Sequence, residues 1–472
     1  MNSILYVTSE VSPFAVTGGL GDVMGALPMT IKKEYDSDVR VVCPCYRVVK
    51  EKYYSKLKLI QIFNVKVGWR NQYCGIYALE SNDVIYYFVD NEYYFNRDTL
   101  YGQFDDGERF AFFSKAVLEM IDKIKFYPDI LHCNDWQTAY ASVLLKYNYN
   151  YGKYKDIKSV FTIHNIQYQG IFDNSTLGNI FDVNEAAYPM MDFNYSVNLL
   201  KGAVECADYV TTVSKKYSEE IKTDAYSYGL TNILRNNDYK LTGIVNGIDY
   251  DINNPETDKL ISYNFSSDNL EGKKKNKTEM LKSFGLKNPK RPLVSMITRL
   301  VEPKGINIVK DVIEGFIKDD INFVLLGTGD REYEDYFRSL NDKYPDHCKC
   351  IISFDKVLAQ KIYASSDMFL MPSQSEACGI AQMIASRYGT LPIVHAVGGL
   401  YDTIKSCIDN PEGNGFTFAD FTSDALKECL KSSILCYNNQ VLWNKLIVKV
   451  MNVDFSWGNS AKKYMELYNN LK

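Results

Sequence analysis

Histidine is scarce in this chain, with four in 472 residues, at positions 132, 164, 347 and 395. None falls in an HExxH pattern, so the helix-borne zinc site of that pattern is excluded. Cysteine is present eleven times, but no CxxC pair occurs. The closest pairs, Cys43/Cys45 and Cys348/Cys350, have one residue between them on expected strands, where side chains two apart point the same way. A zinc knuckle needs CxxC and a second matching pair. Reduced, mostly buried thiols are therefore the expectation. No apolar run reaches the roughly 18 residues of a membrane span. Basic excess is missing as well: the net charge is −5, which argues against non-specific nucleic-acid binding. No GxGxxG follows the first strand, which weighs against a dehydrogenase. That strand is expected from about Ser3, leaving no segment for a signal or transit peptide, and a cytoplasmic protein is expected.

What is present is an ordinary globular composition, 46% hydrophobic and 24% charged, in a chain long enough for two or three domains of about 100–200 residues. Short apolar runs alternate with helical segments in the first half. The runs are ILYVTSE (4–10), VRVVCP (39–44), VIYYFVD (84–90), DILHCND (129–135), SVFTIHN (159–165) and YVTTVS (209–214). Residues 107–124 repeat apolar side chains every three or four positions, as a helix packed on a sheet requires. Continuous apolar strands suit a parallel sheet covered on both faces. A polar stretch, 251–277, with a lysine run at 273–275, reads as a surface connection and the lysines as a solvated face. Alternation then restarts at 292–300, 322–329, 350–354, 368–373 and 391–396. The fold class is α/β, with two tandem Rossmann-like, doubly wound domains facing across a deep cleft. Ligands are expected beyond the carboxyl ends of the strands.

Six segments carry chemistry. TGGLGD (17–22) places glycines before a helix start, where backbone N–H groups and the helix dipole suit an anion; a tight structural turn fits equally. TRLVEPKG (298–305) sets Arg299 and Lys304 at a strand edge. A planar fork and a point charge suit a diphosphate there, and an ordinary surface pair is the alternative. MPSQSEACGIAQ (371–382) holds Glu376 either as a helix cap or as a grip on sugar hydroxyls, with the 379–381 amides on phosphate. VGGLYDT (397–403) repeats the Gly-Gly-Leu device at another strand end. HCNDWQTA (132–139) and TIHNIQYQG (162–170) place Asp135, Trp136 and His164 at the ends of neighbouring strands. A carboxylate beside an aromatic suits carbohydrate, whereas a lone histidine is commonly structural.

In this order, and with YYFNRDTLYG (93–102), DGERFAFF (106–113), IVNGID (244–249), LLGTGD (325–330) and FSWGNSAKKYMELY (455–468), the chain resembles bacterial glycogen synthases and plant starch synthases, which are retaining glucosyltransferases of the GT-B fold. The likeness spans essentially the whole chain. It implies an acceptor-side domain over 1–245, completed by a C-terminal helix at 455–472 that crosses back onto it, and a nucleotide-sugar domain over 246–454. It implies ADP-glucose as donor and an α-1,4-glucan as acceptor, with no metal, cofactor, nucleic-acid or membrane partner. Arg299 and Lys304 would neutralise the leaving diphosphate, Glu376 would contact glucosyl hydroxyls and His164 would lie near the reacting sugar. Gly18, Gly19, Asp22, Asn246, Gly247, Gly379 and Ile380 would line the donor site, with Phe354 stacked on adenine where the family usually has Tyr. Asp135, Trp136, Tyr94 and Tyr101 would face the acceptor.

Some positions depart from that pattern. Val16 stands where the family usually has Lys before Thr-Gly-Gly. Gln137 replaces a usual His; Gln374, Ala377 and Ala381 replace Arg, Pro and Thr; Val397 replaces Thr. A lost charge-assisted hydrogen bond is worth roughly 1.5–3 kcal/mol. An active glucan synthase is the principal reading. A catalytically weak or inactive glucan-binding relative, or a glucosyltransferase with another nucleotide donor, is the alternative.

Overall fold

The apolar runs become strands in the computed structural model, which describes residues 2–408, 410 and 412–472. Contacts divide the chain into two units, Met1–Gly247 with Trp457–Lys472, and Ile248–Ser456. Asn246 and Gly247 thus belong to the first unit, not to the second domain as expected.

The first unit is built on a nine-stranded sheet. Its centre is Ser3–Val7, paired in parallel with Asp38–Pro44 on one side and Ile130–Asn134 on the other. Lys158–Ile163, Tyr209–Thr212 and Leu241–Gly243 extend it in parallel on the second side, and Val84–Asp90 on the first. The central strand is buried along Ile4, Leu5, Tyr6 and Val7 because helices cover both faces, which is why it reads as a continuous apolar run. An antiparallel hairpin, Lys58–Val67 with Arg70–Ser81, closes one edge. Gly68 turns it with φ +55. The helix expected at 107–124 is Asp106–Lys123, burying Phe110, Phe113, Val117, Met120 and Ile121.

The C-terminal helix Trp457–Leu471 packs on the helix Gly19–Glu34. Tyr468 anchors it: its hydroxyl lies 2.9 Å from the Tyr6 hydroxyl and 2.6 Å from His132 Nδ1. His132 Nε2 continues the chain to Thr162 Oγ1 at 2.6 Å. Burial pulls this imidazole down to about 3, so it is a neutral structural linker.

The second unit carries a six-stranded parallel sheet in the order Cys348–Ile351, Asn322–Leu326, Leu293–Ile297, Met368–Met371, Leu391–His395, Phe416–Phe418. Strand alternation sends Phe323 and Leu325 into the core on one face and Val324 and Leu326 into the core on the other, following the period of two. Cys348 and Cys350 point the same way, as their spacing predicts, with sulfurs 3.6 Å apart, and both are buried free thiols.

The reading of 251–277 as a surface connection with a solvated lysine run is corrected here. Glu271–Ser283 is a helix. Lys273 is buried and donates to Tyr388 O at 2.7 Å and to Thr390 Oγ1 at 2.9 Å. Lys277, one turn on, pairs with Asp367 at 2.6 Å. Only Lys274 and Lys275 of the run face solvent. A spacing of four puts 273 and 277 on the inward face, and backbone carbonyls supply the partners a buried ammonium requires. Among the described residues, no helix is long and apolar enough to cross a membrane, and no cluster of three metal-ligating side chains forms.

Candidate functional site

In the second unit, two separate segments meet beyond the carboxyl ends of the strands. After Leu293–Ile297 the chain runs through exposed Arg299 into a short turn, Glu302–Lys304. Gly305 follows with φ +73; a Cβ there would lie 2.0 Å from Pro372 O. Glycine therefore lets this turn press against the 371–376 segment, and Gln374 N donates to Pro303 O at 2.9 Å. The result is an ion pair, Lys304 Nζ to Glu376 Oε2 at 2.6 Å, with Ser373 Oγ 3.0 Å from the same oxygen. Glu376 is thus not a helix cap. The helix that follows, Ala381–Arg387, has Ile380 at its N-cap and no side-chain cap. The capping reading fails because the carboxylate is turned onto Lys304. Gly379 precedes that helix with φ +72. Phe354 is 83% exposed, a free ring face after the strand Cys348–Ile351. Ala381 opens the short helix, and Val397 is buried at the N-cap of Gly398–Thr403.

In the first unit, the glycine loop has an anion of its own. Glu10, 4% exposed, sends Oε2 to Thr17 N at 2.6 Å and Gly18 N at 3.0 Å. Its Oε1 accepts from Thr17 Oγ1 at 2.6 Å and from Tyr101 OH at 2.8 Å. The N–H groups at 17 and 18 are therefore taken by a carboxylate from the same chain. Sequence reading missed Glu10, although a carboxylate right after the first strand, seven residues ahead of the loop, was visible. Val16, Gly18, Gly19 and Asp22 are exposed.

Asp135 follows the strand Ile130–Asn134 with φ 57, a strained value for a non-glycine residue. Its carboxyl accepts from His164 N at 2.8 Å and Asn165 N at 3.4 Å, tying two strand ends together. Burial pushes it up to about 7 against the pull of those two N–H groups. His164 is pulled down to about 3 by burial, so its ring is neutral. Its Nε2 lies 2.9 Å from Asn134 Oδ1, while Asn134 Nδ2 donates to Val7 O and His132 O. The Asn134 oxygen is therefore the acceptor, His164 carries its proton on Nε2, and Nδ1 remains an acceptor.

The acceptor-side expectation for Tyr94 is overturned. Tyr94 is fully buried; its ring packs 5.0 Å from Phe112, and its hydroxyl donates to Glu108 at 2.5 Å. The short helix Glu92–Phe95 turns Tyr93 outward instead, at 59% exposure. Tyr101 is half-buried and bound to Ser9 and Glu10. Trp136 is half-buried, its ring 5.3 Å from Phe110 and 5.7 Å from Phe172, with Gly170 against its face. Gln137 Oε1 and Asn246 Oδ1 are buried without a partner in the protein.

Comparison with known proteins agrees along the chain. Residues 3–236 match the family described as starch synthase catalytic domain, and 277–445 match glycosyl transferases group 1. A glycogen synthase of Ligilactobacillus salivarius is 47% identical, with 99% of each chain covered. One from Clostridium botulinum is 46% identical at the same coverage. Among solved structures, the catalytic domain of starch synthase IV from Arabidopsis thaliana, bound to ADP and acarbose, superposes with a TM-score of 0.91 at 32% identity, covering 100% of this chain and 99% of that one.

Proposed function

Because the chain belongs to the glycogen and starch synthase family of glycosyltransferases, we propose that it transfers glucose from ADP-glucose to the non-reducing end of an α-1,4-glucan with retained configuration. The observation that carries the reading is the Lys304–Glu376 pair at the strand ends, beside exposed Arg299. Cleavage of the glycosyl–phosphate bond leaves an oxocarbenium-like sugar and an anionic diphosphate. Lys304, held by Glu376, and Arg299 supply fixed positive charge to the leaving group, and such preorganised charge is worth about 3–4 kcal/mol per donor. The backbone at Gly379 and Ile380 offers N–H groups to the same phosphates. Glu376 takes glucosyl hydroxyls; in the first unit, neutral His164 offers Nδ1 as an acceptor to a sugar hydroxyl. Phe354 offers a ring face to the base. Transfer on the face that the nucleotide leaves preserves configuration without a protein nucleophile. The charge comes from Arg299 and Lys304, so the proposal includes neither metal nor cofactor.

The inactive-relative alternative is not favoured, since Arg299, Lys304, Glu376, His164, Asn246 and Asp22 are all retained. The test is incorporation of labelled glucose from ADP-glucose into glycogen, followed by digestion with an exo-acting hydrolase specific for α-1,4 bonds. Label released as maltose supports linkage, end and stereochemistry together. Label resistant to that enzyme rules out the proposed product.

A further inference from the structure

Beneath the glycine loop lies a buried cluster that the catalytic reading does not use. Arg109, in the helix Asp106–Lys123, is fully buried and surrounded by the rings of Tyr46, Phe95 and Phe110. Its Nη2 donates to Leu100 O. Its Nε and Nη1 have no hydrogen-bond partner in the protein. Asp106 Oδ1 forms an ion pair with Nε at 3.6 Å, too long for a hydrogen bond, and accepts no hydrogen bond within the protein. The Tyr46 hydroxyl, in a side chain 1% exposed, is unpartnered too. These groups share one neighbourhood, since Arg109 Cζ lies 5.9 Å from the centre of the Tyr46 ring and its Nε 3.6 Å from Asp106.

Two guanidinium nitrogens with three N–H donors, one carboxylate acceptor and one hydroxyl that does either are complementary in kind. Each is destabilising if left unmet away from water. Buried waters typically make about three bonds to such groups. We propose that Arg109, Asp106 and Tyr46 form an internal water site, and that this site makes Arg109 a positioning residue for the glycine loop. The linkage runs through the 100–106 turn. Arg109 holds Leu100 O, Asp106 Oδ2 holds Gly102 N at 2.9 Å, and between them Tyr101 reaches Glu10, which holds Thr17 and Gly18. A bound water satisfies the side of Arg109 that the turn does not.

The functional half of this inference rests on the proposed donor role of the loop; the water site does not. Tyr46→Phe separates the two. It removes only an oxygen, so an unbonded hydroxyl and a hydrated one give opposite signs. The expected result is a lower Tm, with KM for ADP-glucose raised several-fold and kcat within twofold. An unchanged or raised Tm overturns the water site whether or not the enzyme turns over. A lowered Tm with unchanged KM overturns the positioning role. Arg109→Lys supplies a second check: its single ammonium keeps the charge but not the fork, and the same rise in KM is expected from folded protein. Wild-type KM in that variant counts against the linkage.

Discussion

Both units place Gly-Gly-Leu at the start of a helix, at 18–20 and 398–400, and the two copies sit in opposite surroundings. The second is buried. A Cβ on Gly398, at φ +46, would sit 1.8 Å from Glu376 O, and one on Gly399 would sit 2.1 Å from Cys378 O. Gly399 N donates to Glu376 O at 3.1 Å. These glycines let two backbones touch and so set the turn that aims Glu376 at Lys304. The first copy is exposed. Gly18 is extended, at φ −159, and a Cβ there would meet nothing within 4 Å. The fold does not require glycine at 18. A bare, solvent-facing backbone beside a carboxylate-filled pair of amides leaves room for a ligand to approach. One tripeptide is thus architectural, while the other is left open to solvent as the proposed donor role requires, a difference that neither local sequence shows.

The largest effect expected bears on the second unit's charges. Arg299→Gln and Lys304→Gln should each lower kcat by about 10²–10³. Arg299 is exposed and forms no ion pair among the described residues, so its variant should keep the wild-type Tm; a Tm drop alone would recast it as structural. The two glycines then separate. Gly398→Ala should destabilise by about 3 kcal/mol in urea unfolding, because a backbone carbonyl blocks the new methyl. Gly18→Ala should stay within about 0.5 kcal/mol of wild type while raising KM for the donor. Equal stabilities for the two would abolish the contrast drawn here.

Glu10→Gln is expected to cost about 2 kcal/mol, since the amide presents N–H to groups that already donate. Unchanged amide exchange across 16–20 in that variant would show that the loop does not depend on this carboxylate.

The smallest effect is a pH signature. Asp135 is raised to about 7 in the fold, so between pH 4 and 7 the native state binds more protons than the unfolded chain. Its contribution to stability is full below about 4 and is lost as pH rises through about 7. Ionised Asp135 accepts the His164 and Asn165 amides best, so activity should rise over the same range. His164, at about 3, should add no limb near 6.5. Asp135→Asn should flatten both profiles; a surviving acidic limb near 7 would assign it elsewhere.

Much of the fold was legible because parallel strands buried on both faces read as unbroken apolar runs. The edge hairpin 58–81 was not, since polar residues such as Lys58, Gln61, Asn64 and Lys66 interrupt it. The inward lysines 273 and 277 were illegible because their partners are carbonyls and a carboxylate some 90 or more residues away. In the site, Lys304 and Glu376 were legible from strand-end position and charge. Glu10 was hidden because its partners are backbone N–H groups, which any residue has, and Tyr94 misled because adjacent tyrosines on one turn face opposite ways.

The central claim is that this chain is a working ADP-glucose-dependent synthase despite Val16. The most direct test is glycogen-dependent nucleotide release from ADP-glucose and UDP-glucose, for wild type and Val16→Lys. The account predicts ADP release by the wild type, exceeding UDP release, with a lower donor KM in Val16→Lys. Glycogen binding without nucleotide release from either donor, in both proteins, would contradict it.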